Sequence, residues 1–476
     1  MTEPKPARKP LVLDIDGTYL KTDLLMESFW QALGHHPLRC LKLALRHLGN
    51  RAALKQALAG IAPIDMSLLP RNDAIRALAD AAKAEGREVV LASGSDISLV
   101  TQLAETDGLD GAIFASDGTT NLTGRAKAEA LVAAYGAQGF DYAGDSRVDL
   151  PVWQAADGAV IVGAHPNIAE KLRREGRDVT EIAGGWRKRD LLRGLRPHQW
   201  VKNVLLFLPM IAAHRLDAEG LVPVMFAIMA FCAAASAIYV VNDLLDLEAD
   251  RLHPTKCRRP LAAGAVPILA AMLTAKLLAI FALATALLIS PAMLGIVALY
   301  MGLSLAYSLK LKRMRWVDIA TLASLYTLRV IAGAVAAEVV ASGYLVVFIF
   351  PTFITLGCVK RLTELTLAKS DERLPGRGYG RPDRGDLLNV ASLGTFGALL
   401  AFFVYSFTPA AQMLYANIWQ LWLALIPIAA WLVRMILLGW KGKQDYDPIV
   451  FAMRDKYGLA LIALTLAVMF VAATPG

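Results

Sequence analysis

Apolar runs long enough to cross a bilayer recur from residue 199 onward, and they restrict how this chain can fold more than any other feature. Only helices and closed barrels satisfy their backbone polar groups inside a membrane. The mean hydropathy of +0.46 averages an ordinary first part with this apolar second part. We predict an all-α membrane region of about nine spans, approximately at 199–217, 221–241, 268–289, 291–309, 317–338, 343–360, 389–408, 417–438 and 456–474.

An acid-rich stretch follows the second of these runs. Asp243, Asp246 and Asp250 are spaced i, i+3 and i+7, which places them on one face of a helix. Carboxylates at the membrane-proximal end of a helix are unfavourable unless a cation lies between them. Mg²⁺ is the simplest candidate, because it prefers one or two carboxylates together with the oxygens of a bound phosphate. Three cations follow in sequence and would hold the remaining phosphate charge, namely Lys256, Arg258 and Arg259. The alternative is a solvated loop that caps a membrane helix.

Lys and Arg lie almost entirely on alternate loops of the predicted membrane region. This positive-inside pattern places the acid-rich stretch on the cytosolic side. The segment Met1–Pro10 is polar and basic and precedes no apolar leader, so we expect a multi-pass protein of the inner (cytoplasmic) membrane with its soluble part in the cytoplasm. The net charge of +8 fits this bias and anionic lipid or phosphate partners, and no nucleic acid is expected. The four cysteines lack ligand spacing and are predicted to be free thiols.

Residues 11–183 alternate short apolar runs with helical stretches, which is typical of an α/β sheet. Polar side chains come directly after several predicted strands, and open parallel sheets bind ligands at that edge. These side chains are Asp14 and Asp16 after the first strand, Ser93 after the second, and Asp145 and Asp149 after a later one.

The chemistry that these residues suggest is phosphoryl transfer through an aspartyl phosphate. Asp14 would attack phosphorus, because carboxylates are competent covalent nucleophiles. Asp16 would protonate the leaving oxygen and then activate water. Asp145 would help to hold Mg²⁺, which neutralises charge between nucleophile and phosphate. Ser93 and Lys127 would donate to the non-bridging oxygens.

The motifs DIDGT (14–18), ASGSD (92–96), Lys127 and GDSRVD (144–149) resemble the four motifs of the haloacid dehalogenase superfamily, in that family's order. The resemblance covers about residues 10–183. It implies a Rossmann-like fold, phosphatase activity in most members, and a small helical cap at about 23–85 that selects the substrate. It also implies a Mg²⁺ site, with the candidate ligands Asp14, Asp16, Asp145 and Asp149.

The segment 190–476 resembles the UbiA-type prenyltransferase superfamily, whose signature NDxxDxxxD is present at 242–250. Within that superfamily it is most similar to the decaprenyl-phosphate phosphoribosyltransferases. The matching stretches are RPHQWVKN (196–203), NDLLDLEADRLHPTKCRRPLAAG (242–264), YSLKLK (307–312), LRVIAGA (328–334) and KRLTEL (360–365). Other members carry a second Asp-rich motif, whereas the equivalent region here has one acid, Asp318.

This resemblance implies transfer of 5-phosphoribose from phosphoribosyl diphosphate to a polyprenyl phosphate, with Mg²⁺ on Asp243, Asp246 and Asp250. Arg329 lies deep inside an apolar run, which favours a functional role. A structural ion pair with Asp318 is the alternative. The expected substrate-binding residues are Lys202, Asn203, Asn242, Lys256, Arg258, Arg259, Tyr307, Lys310, Asp318, Arg329, Lys360 and Arg361.

We therefore predict a phosphatase domain at 1–183, a basic linker at 184–198 and a polyprenyl-phosphate phosphoribosyltransferase domain at 199–476. The phosphatase would remove the 5-phosphate and yield polyprenyl-phosphoryl ribose, so the expected partners are the two substrates and the membrane. One alternative has a phosphatase domain that acts on another phosphate or on diphosphate. The others are an aromatic prenyltransferase, and a transporter or scaffold with a regulatory domain. The sequence gives neither lipid chain length nor oligomeric state.

Overall fold

The computed structural model describes residues 8–47, 49–215, 217–340, 342–368, 371–373, 378–444 and 447–474. Most of the predicted basic N-terminal segment, residues 1–7, lies outside these ranges. The chain divides into two compact units, of which the first comprises Met1–Leu195 and Val240–Thr274. The second comprises Arg196–Tyr239 and Ala275–Gly476. The acid-rich stretch therefore belongs to the same unit as the N-terminal part of the chain.

A six-stranded parallel sheet forms the centre of the first unit, as the alternating pattern predicted. Its strands are β1 (Leu11–Leu13), β2 (Val89–Asp96), β3 (Ile113–Ser116), β4 (Asp141–Gly144), β5 (Gly158–Val162) and β6 (Asp178–Ile182). The order is β3-β2-β1-β4-β5-β6. Successive strands are added on one side of β1 up to β3 and on its other side from β4 onward, so the strand order reverses between β1 and β4. Loops that leave the carboxyl ends of two such strands diverge and leave a crevice for a ligand.

Helices cover both faces of this sheet. Leu11 and Leu13 of β1 belong to one hydrophobic cluster and Val12 to another, because successive strand residues point to opposite faces. The predicted cap region is largely helical, and Ala32, Cys40 and Leu58 form a small core of their own. The helices are α1 (Leu24–His35), α2 (Pro37–Arg46), α3 (Arg51–Ala59), α4 (Asp73–Ala84), α5 (Ile97–Asp107), α6 (Arg125–Tyr135), α7 (Leu150–Ala155), α8 (Pro166–Arg174) and α9 (Lys188–Gly194), with 3₁₀ turns at Met66–Leu68 and Arg147–Asp149.

Helices, several of them long and apolar, make up most of the remaining chain. They are α10 (Leu208–Ala212), α11 (Ala218–Leu245), α12 (Leu247–Leu252), α13 (Ile268–Ile289), α14 (Pro291–Leu309), α15 (Val317–Ala336), α16 (Gly343–Leu367), α17 (Arg384–Tyr405), α18 (Pro409–Leu414), α19 (Ile418–Leu423), α20 (Leu425–Trp440), α21 (Pro448–Ala452) and α22 (Lys456–Ala473). Shorter 3₁₀ turns lie at Lys256–Arg258, Leu311–Arg313 and Arg381–Asp383. In the described residues, 8 helical segments are long and apolar enough to cross a membrane.

The prediction of about nine spans is not confirmed, and the difference lies at 199–217. That segment forms a 3₁₀ helix at Pro197–Phe207, followed by the short α10. Side chains three residues apart align in a 3₁₀ helix. Trp200 Nε1 donates to Ser236 Oγ at 2.9 Å and Asn203 Nδ2 contacts Cys232 Sγ at 3.1 Å, while Leu206 is fully buried. These contacts favour three residues per turn, as in a 3₁₀ helix, over the 3.6 residues per turn of the α-helix that an apolar run suggests.

Candidate active sites

Asp14 and Lys127 meet at the carboxyl edge of the parallel sheet. Asp14 follows β1 directly, and Lys127 projects from the first turn of α6. Lys127 Nζ donates to Asp14 Oδ1 at 2.7 Å and to the Tyr142 hydroxyl at 2.9 Å, and it lies 3.4 Å from Asp149 Oδ1. Lys127 is only 3% exposed, so it is no ordinary surface lysine. Desolvation disfavours its charge, yet the two carboxylates beside it raise its pKa.

Three carboxylates lie close together, those of Asp14, Asp145 and Asp149. Each offers one oxygen, and these oxygens lie within 4.8 Å of one another. Thr18 Oγ1 donates to Asp145 Oδ1 at 3.3 Å. Gly17 has φ +81°, and a Cβ there would lie 2.3 Å from Asp145 Oδ2, so the loop after β1 approaches this carboxylate as only glycine permits.

The three carboxylates fit a hard divalent cation. Burial, followed by the charge of Asp149, raises the pKa of Asp145 to about 7, so an added positive charge would be stabilising here. Oxygen-only donors at this spacing are the ligands that Mg²⁺ prefers. The cluster is thus chemically suited to the predicted metal.

Asp16 is not part of this three-carboxylate group in the described residues. Its Oδ2 accepts from Ser95 Oγ at 2.6 Å and from Ser93 Oγ at 3.2 Å. Its Oδ1 accepts from the backbone N–H of Leu24 at 2.8 Å, the first residue of α1. The metal-binding role of Asp16 and the phosphate-binding role of Ser93 stay predictions. Both side chains do lie at the same sheet edge as Asp14.

The acid-rich stretch is helical, but its helix is interrupted at Asp246, between α11 and α12. Arg259 Nη1 contacts Asp243 Oδ1 at 3.1 Å and Asp250 Oδ2 at 2.6 Å. Both carboxylates are buried, so they bracket a single cationic nitrogen where a metal was predicted. The other predicted residues nearby differ in exposure: Asn242, Asp246 and Lys256 are half-buried and Arg258 is exposed.

Buried cations also occur in the second unit. Lys202 forms an ion pair with Asp447, and both side chains are largely buried. Arg329 Nε donates to Asn203 Oδ1 at 3.0 Å, and Nη2 donates to the Tyr300 hydroxyl at 2.9 Å. Arg329 is therefore held by uncharged groups.

Asp318 pairs with Arg361, whereas the alternative considered from the sequence paired it with Arg329. Arg361 Nε contacts Asp318 Oδ2 at 2.5 Å and Nη2 contacts Oδ1 at 2.8 Å. The Tyr307 hydroxyl donates to Asp318 Oδ1 at 2.8 Å, and Glu364 is a further partner of Arg361. Of the remaining predicted cations in this unit, Lys310 is exposed and Lys360 is half-buried.

Several partners in these networks were not predicted. Ser95 lies two residues after Ser93, and that spacing at a strand end was an available signal. Asp447 precedes Pro448 and accepts from the backbone N–H groups of Ile449 and Val450, as an N-cap of α21. An acid before a proline also occurs in ordinary helix caps, so the sequence alone did not identify Asp447 as the partner of Lys202.

Known proteins align with both parts of the chain. Residues 204–460 match the model of the UbiA prenyltransferase family. The uncharacterized protein y4nM of Sinorhizobium fredii is 35% identical over 94% of this chain and 88% of its own length. Decaprenyl-phosphate phosphoribosyltransferase of Mycobacterium tuberculosis is 33% identical over 58% of this chain and 90% of its own length. A crystal structure of a HAD family hydrolase from Salmonella enterica serovar Typhi aligns with 38% of this chain and 69% of its own, at 15% identity and a TM-score of 0.28.

Proposed function

The chain belongs to the UbiA prenyltransferase family, and on that premise we propose that it transfers 5-phosphoribose from phosphoribosyl diphosphate to a polyprenyl phosphate. The lipid phosphate oxygen attacks the anomeric carbon of the ribose. The bond from that carbon to the diphosphate breaks, and diphosphate leaves with the electron pair.

The observation that carries this choice of substrate is the engagement of Asp318 by Arg361. Asp318 is the one acid in the region where other superfamily members carry a second Asp-rich motif. With both oxygens accepting from Arg361, it is a poor metal ligand. A single acid-rich stretch suits one diphosphate-bearing substrate and a lipid monophosphate. Relatives named decaprenyl-phosphate phosphoribosyltransferase support the same choice.

At the acid-rich stretch, Asp243 and Asp250 are proposed to hold Mg²⁺, because each accepts from Arg259 through one oxygen, whereas Asp318 accepts from Arg361 through both of its oxygens. Mg²⁺ bound there would neutralise charge on the departing diphosphate. Asp246 is proposed as a further ligand. Arg259, Lys256 and Arg258 hold diphosphate oxygens through charge-assisted hydrogen bonds.

Residues of the second unit are proposed to bind the lipid phosphate. Arg329 keeps its charge inside an apolar bundle with Asn203 and Tyr300 as its neutral partners, which suits an anionic ligand. Lys202 and Lys360 add positive charge from other helices, and Lys310 lies at the end of α14. Asp447 orients Lys202. Arg361, held by Asp318 and Glu364, supports this arrangement from a buried position.

The soluble domain is proposed to remove the 5-phosphate of the lipid-linked product. Asp14 attacks phosphorus, and the ribose 5-oxygen leaves with a proton from Asp16. Asp16 then takes a proton from the water that hydrolyses the aspartyl phosphate. Lys127 and Ser93 stabilise the non-bridging oxygens. Mg²⁺ held by Asp14, Asp145 and Asp149 would offset the negative charge of nucleophile and phosphate.

Tethering the two enzymes raises the effective concentration of the second near the product of the first. Both sites are proposed to face the cytoplasm, as the distribution of Lys and Arg suggests. The net product of the two steps is polyprenyl-phosphoryl ribose.

The test uses the purified full chain in lipid vesicles that contain polyprenyl phosphate, with phosphoribosyl diphosphate and Mg²⁺. Mass spectrometry should detect polyprenyl-phosphoryl ribose with the native protein and its 5-phosphate with Asp14→Asn. Equal dephosphorylation by both proteins would contradict the phosphatase assignment. Turnover of 4-hydroxybenzoate with a polyprenyl diphosphate, in place of ribosyl transfer, would instead identify an aromatic prenyltransferase.

A further inference from the structure

One face of α1 in the soluble domain contacts the segment that carries the acid-rich stretch. Four α1 residues make these contacts, at the helical spacing i, i+3, i+4 and i+7. Trp30 Nε1 lies 3.4 Å from Met272 Sδ, and Gln31 bonds to Glu248. A Cβ at Gly34 would lie 3.6 Å from the carbonyl oxygen of Leu245. The remaining member of the face is Glu27, which pairs with Arg251.

The Glu27–Arg251 pair is buried and bidentate. Arg251 Nη2 lies 2.6 Å from Glu27 Oε1 and Nη1 lies 3.1 Å from Oε2, with the side chains 7% and 5% exposed. Thr22 Oγ1 donates to Glu27 Oε1 at 2.6 Å, and Arg251 Nε donates to the carbonyl of Ala262 at 3.1 Å. Both partners are thus fixed by further hydrogen bonds, which is the geometry of a specific clamp.

This clamp lies next to functional groups at each end. Arg251 follows Asp250, which shares Arg259 with Asp243. The bond from Arg251 to Ala262 joins the start of the segment to the part that follows the basic cluster. At the other end, the first amide of α1 donates to Asp16, so α1 extends from the sheet edge to the acid-rich stretch.

We propose that Glu27 and Arg251 are positioning residues for the transferase, through which the soluble domain holds the acid-rich stretch in its reactive arrangement. The assignment rests on the proposed ribosyl transfer for its reaction. It extends that function, because the soluble domain then contributes to the first step as well as the second. Separating Arg251 from Glu27 shifts Asp250 and Arg259 relative to Asp243, and small displacements of catalytic groups lower rates strongly.

The test compares Glu27→Gln with a matched control, Glu85→Gln, in the full chain in vesicles. Glu85 also pairs with an arginine, Arg8, but both side chains are about half exposed. We expect Glu27→Gln to lower the kcat of ribosyl transfer roughly 10- to 100-fold, with the KM for lipid phosphate unchanged, and Glu85→Gln to match the native protein. Arg251→Lys, which keeps the charge and loses the bidentate geometry, should also lower kcat and provides a second variant if Glu27→Gln does not fold.

The charge-swapped double variant Glu27→Arg/Arg251→Glu should recover part of the lost rate, which a nonspecific loss of stability would not explain. Hydrogen exchange of residues 243–262 should rise in Glu27→Gln and in Arg251→Lys and stay native in Glu85→Gln. A folded Glu27→Gln or Arg251→Lys protein with native kcat and native exchange would overturn the proposal. If the native protein transfers no ribose, the proposed function fails, while the exchange measurement still decides the role of the clamp.

Discussion

Arg361 and Asp318 form a bidentate ion pair with both side chains fully buried, at 0% exposure. The pair joins α15 to α16. A buried charge that loses its partner is strongly destabilising, whereas an exposed pair contributes little.

Replacing Asp318 with Asn should therefore destabilise the second unit by about 3–5 kcal/mol. The control is Asp386→Asn, which removes an exposed partner of Arg315 and should change stability by less than about 1 kcal/mol. The measurement is the fraction of detergent-solubilised protein that stays monodisperse after heating. Similar melting curves for the two variants would argue against the structural role of this pair.

Lys127→Met should slow phosphate release by roughly 10²- to 10³-fold, because a donor to the non-bridging oxygens is removed from a buried site. The assay is hydrolysis of p-nitrophenyl phosphate by the full chain. Lys83→Met provides the control, since Lys83 donates to the carbonyl of Gly108 on the exposed surface. A folded Lys127→Met protein with the native rate would remove Lys127 from the proposed site.

Mg²⁺ should raise the melting temperature of the soluble domain, because a ligand that binds the folded state stabilises it by about 2.7 kcal/mol at 100 times its Kd. Asp145→Asn removes one of the three clustered oxygen donors and should reduce that shift. Asp157→Asn, which affects an exposed pair with Lys9, should leave the shift intact. Scanning calorimetry of the full chain with and without Mg²⁺ measures both, and an unchanged shift in Asp145→Asn would place the ion elsewhere.

Gly264→Ala should destabilise the first unit more than Gly86→Ala does. Both glycines have positive φ, +66° and +74°, so each substitution carries backbone strain of about 1–2 kcal/mol. A Cβ at Gly264 would also lie 2.7 Å from Lys21 Cβ and 2.9 Å from Pro70 Cγ, whereas nothing lies within 4 Å at Gly86. Overpacking adds roughly 1–3 kcal/mol. Thermal unfolding should separate the two variants by that amount, and equal melting temperatures would contradict the close packing at Gly264.

The parallel sheet was predictable because its strands read as short apolar runs that end in polar residues. Leu11–Leu13 was predicted with its observed bounds. Asp14 and Asp145 could be placed at one sheet edge because adjacent parallel strands end on the same side. The partners of Asp16 were harder to predict from the sequence, since the hydrogen bond from the Leu24 amide depends on how the chain turns into α1.

The membrane part shows where periodicity stops being informative. An apolar run such as 199–217 does not distinguish an α-helix from a 3₁₀ helix, because the choice depends on tertiary partners such as Ser236 and Cys232. The partner of Asp318 could not be predicted from the sequence either. Arg329 and Arg361 both lie in apolar runs, and only helix packing decides which of them reaches Asp318.

The four α1 residues Glu27, Trp30, Gln31 and Gly34 reach their partners only if the rotation of α1 about its own axis is kept, and this fixed rotation is the phase of the helix. Adding or deleting one residue inside α1 ahead of Glu27, at 24–26, would rotate the four side chains by about 100° and turn them away from their partners. Length variation among proteins of this architecture should therefore collect in the loop between α3 and α4, where an extra residue leaves that phase untouched.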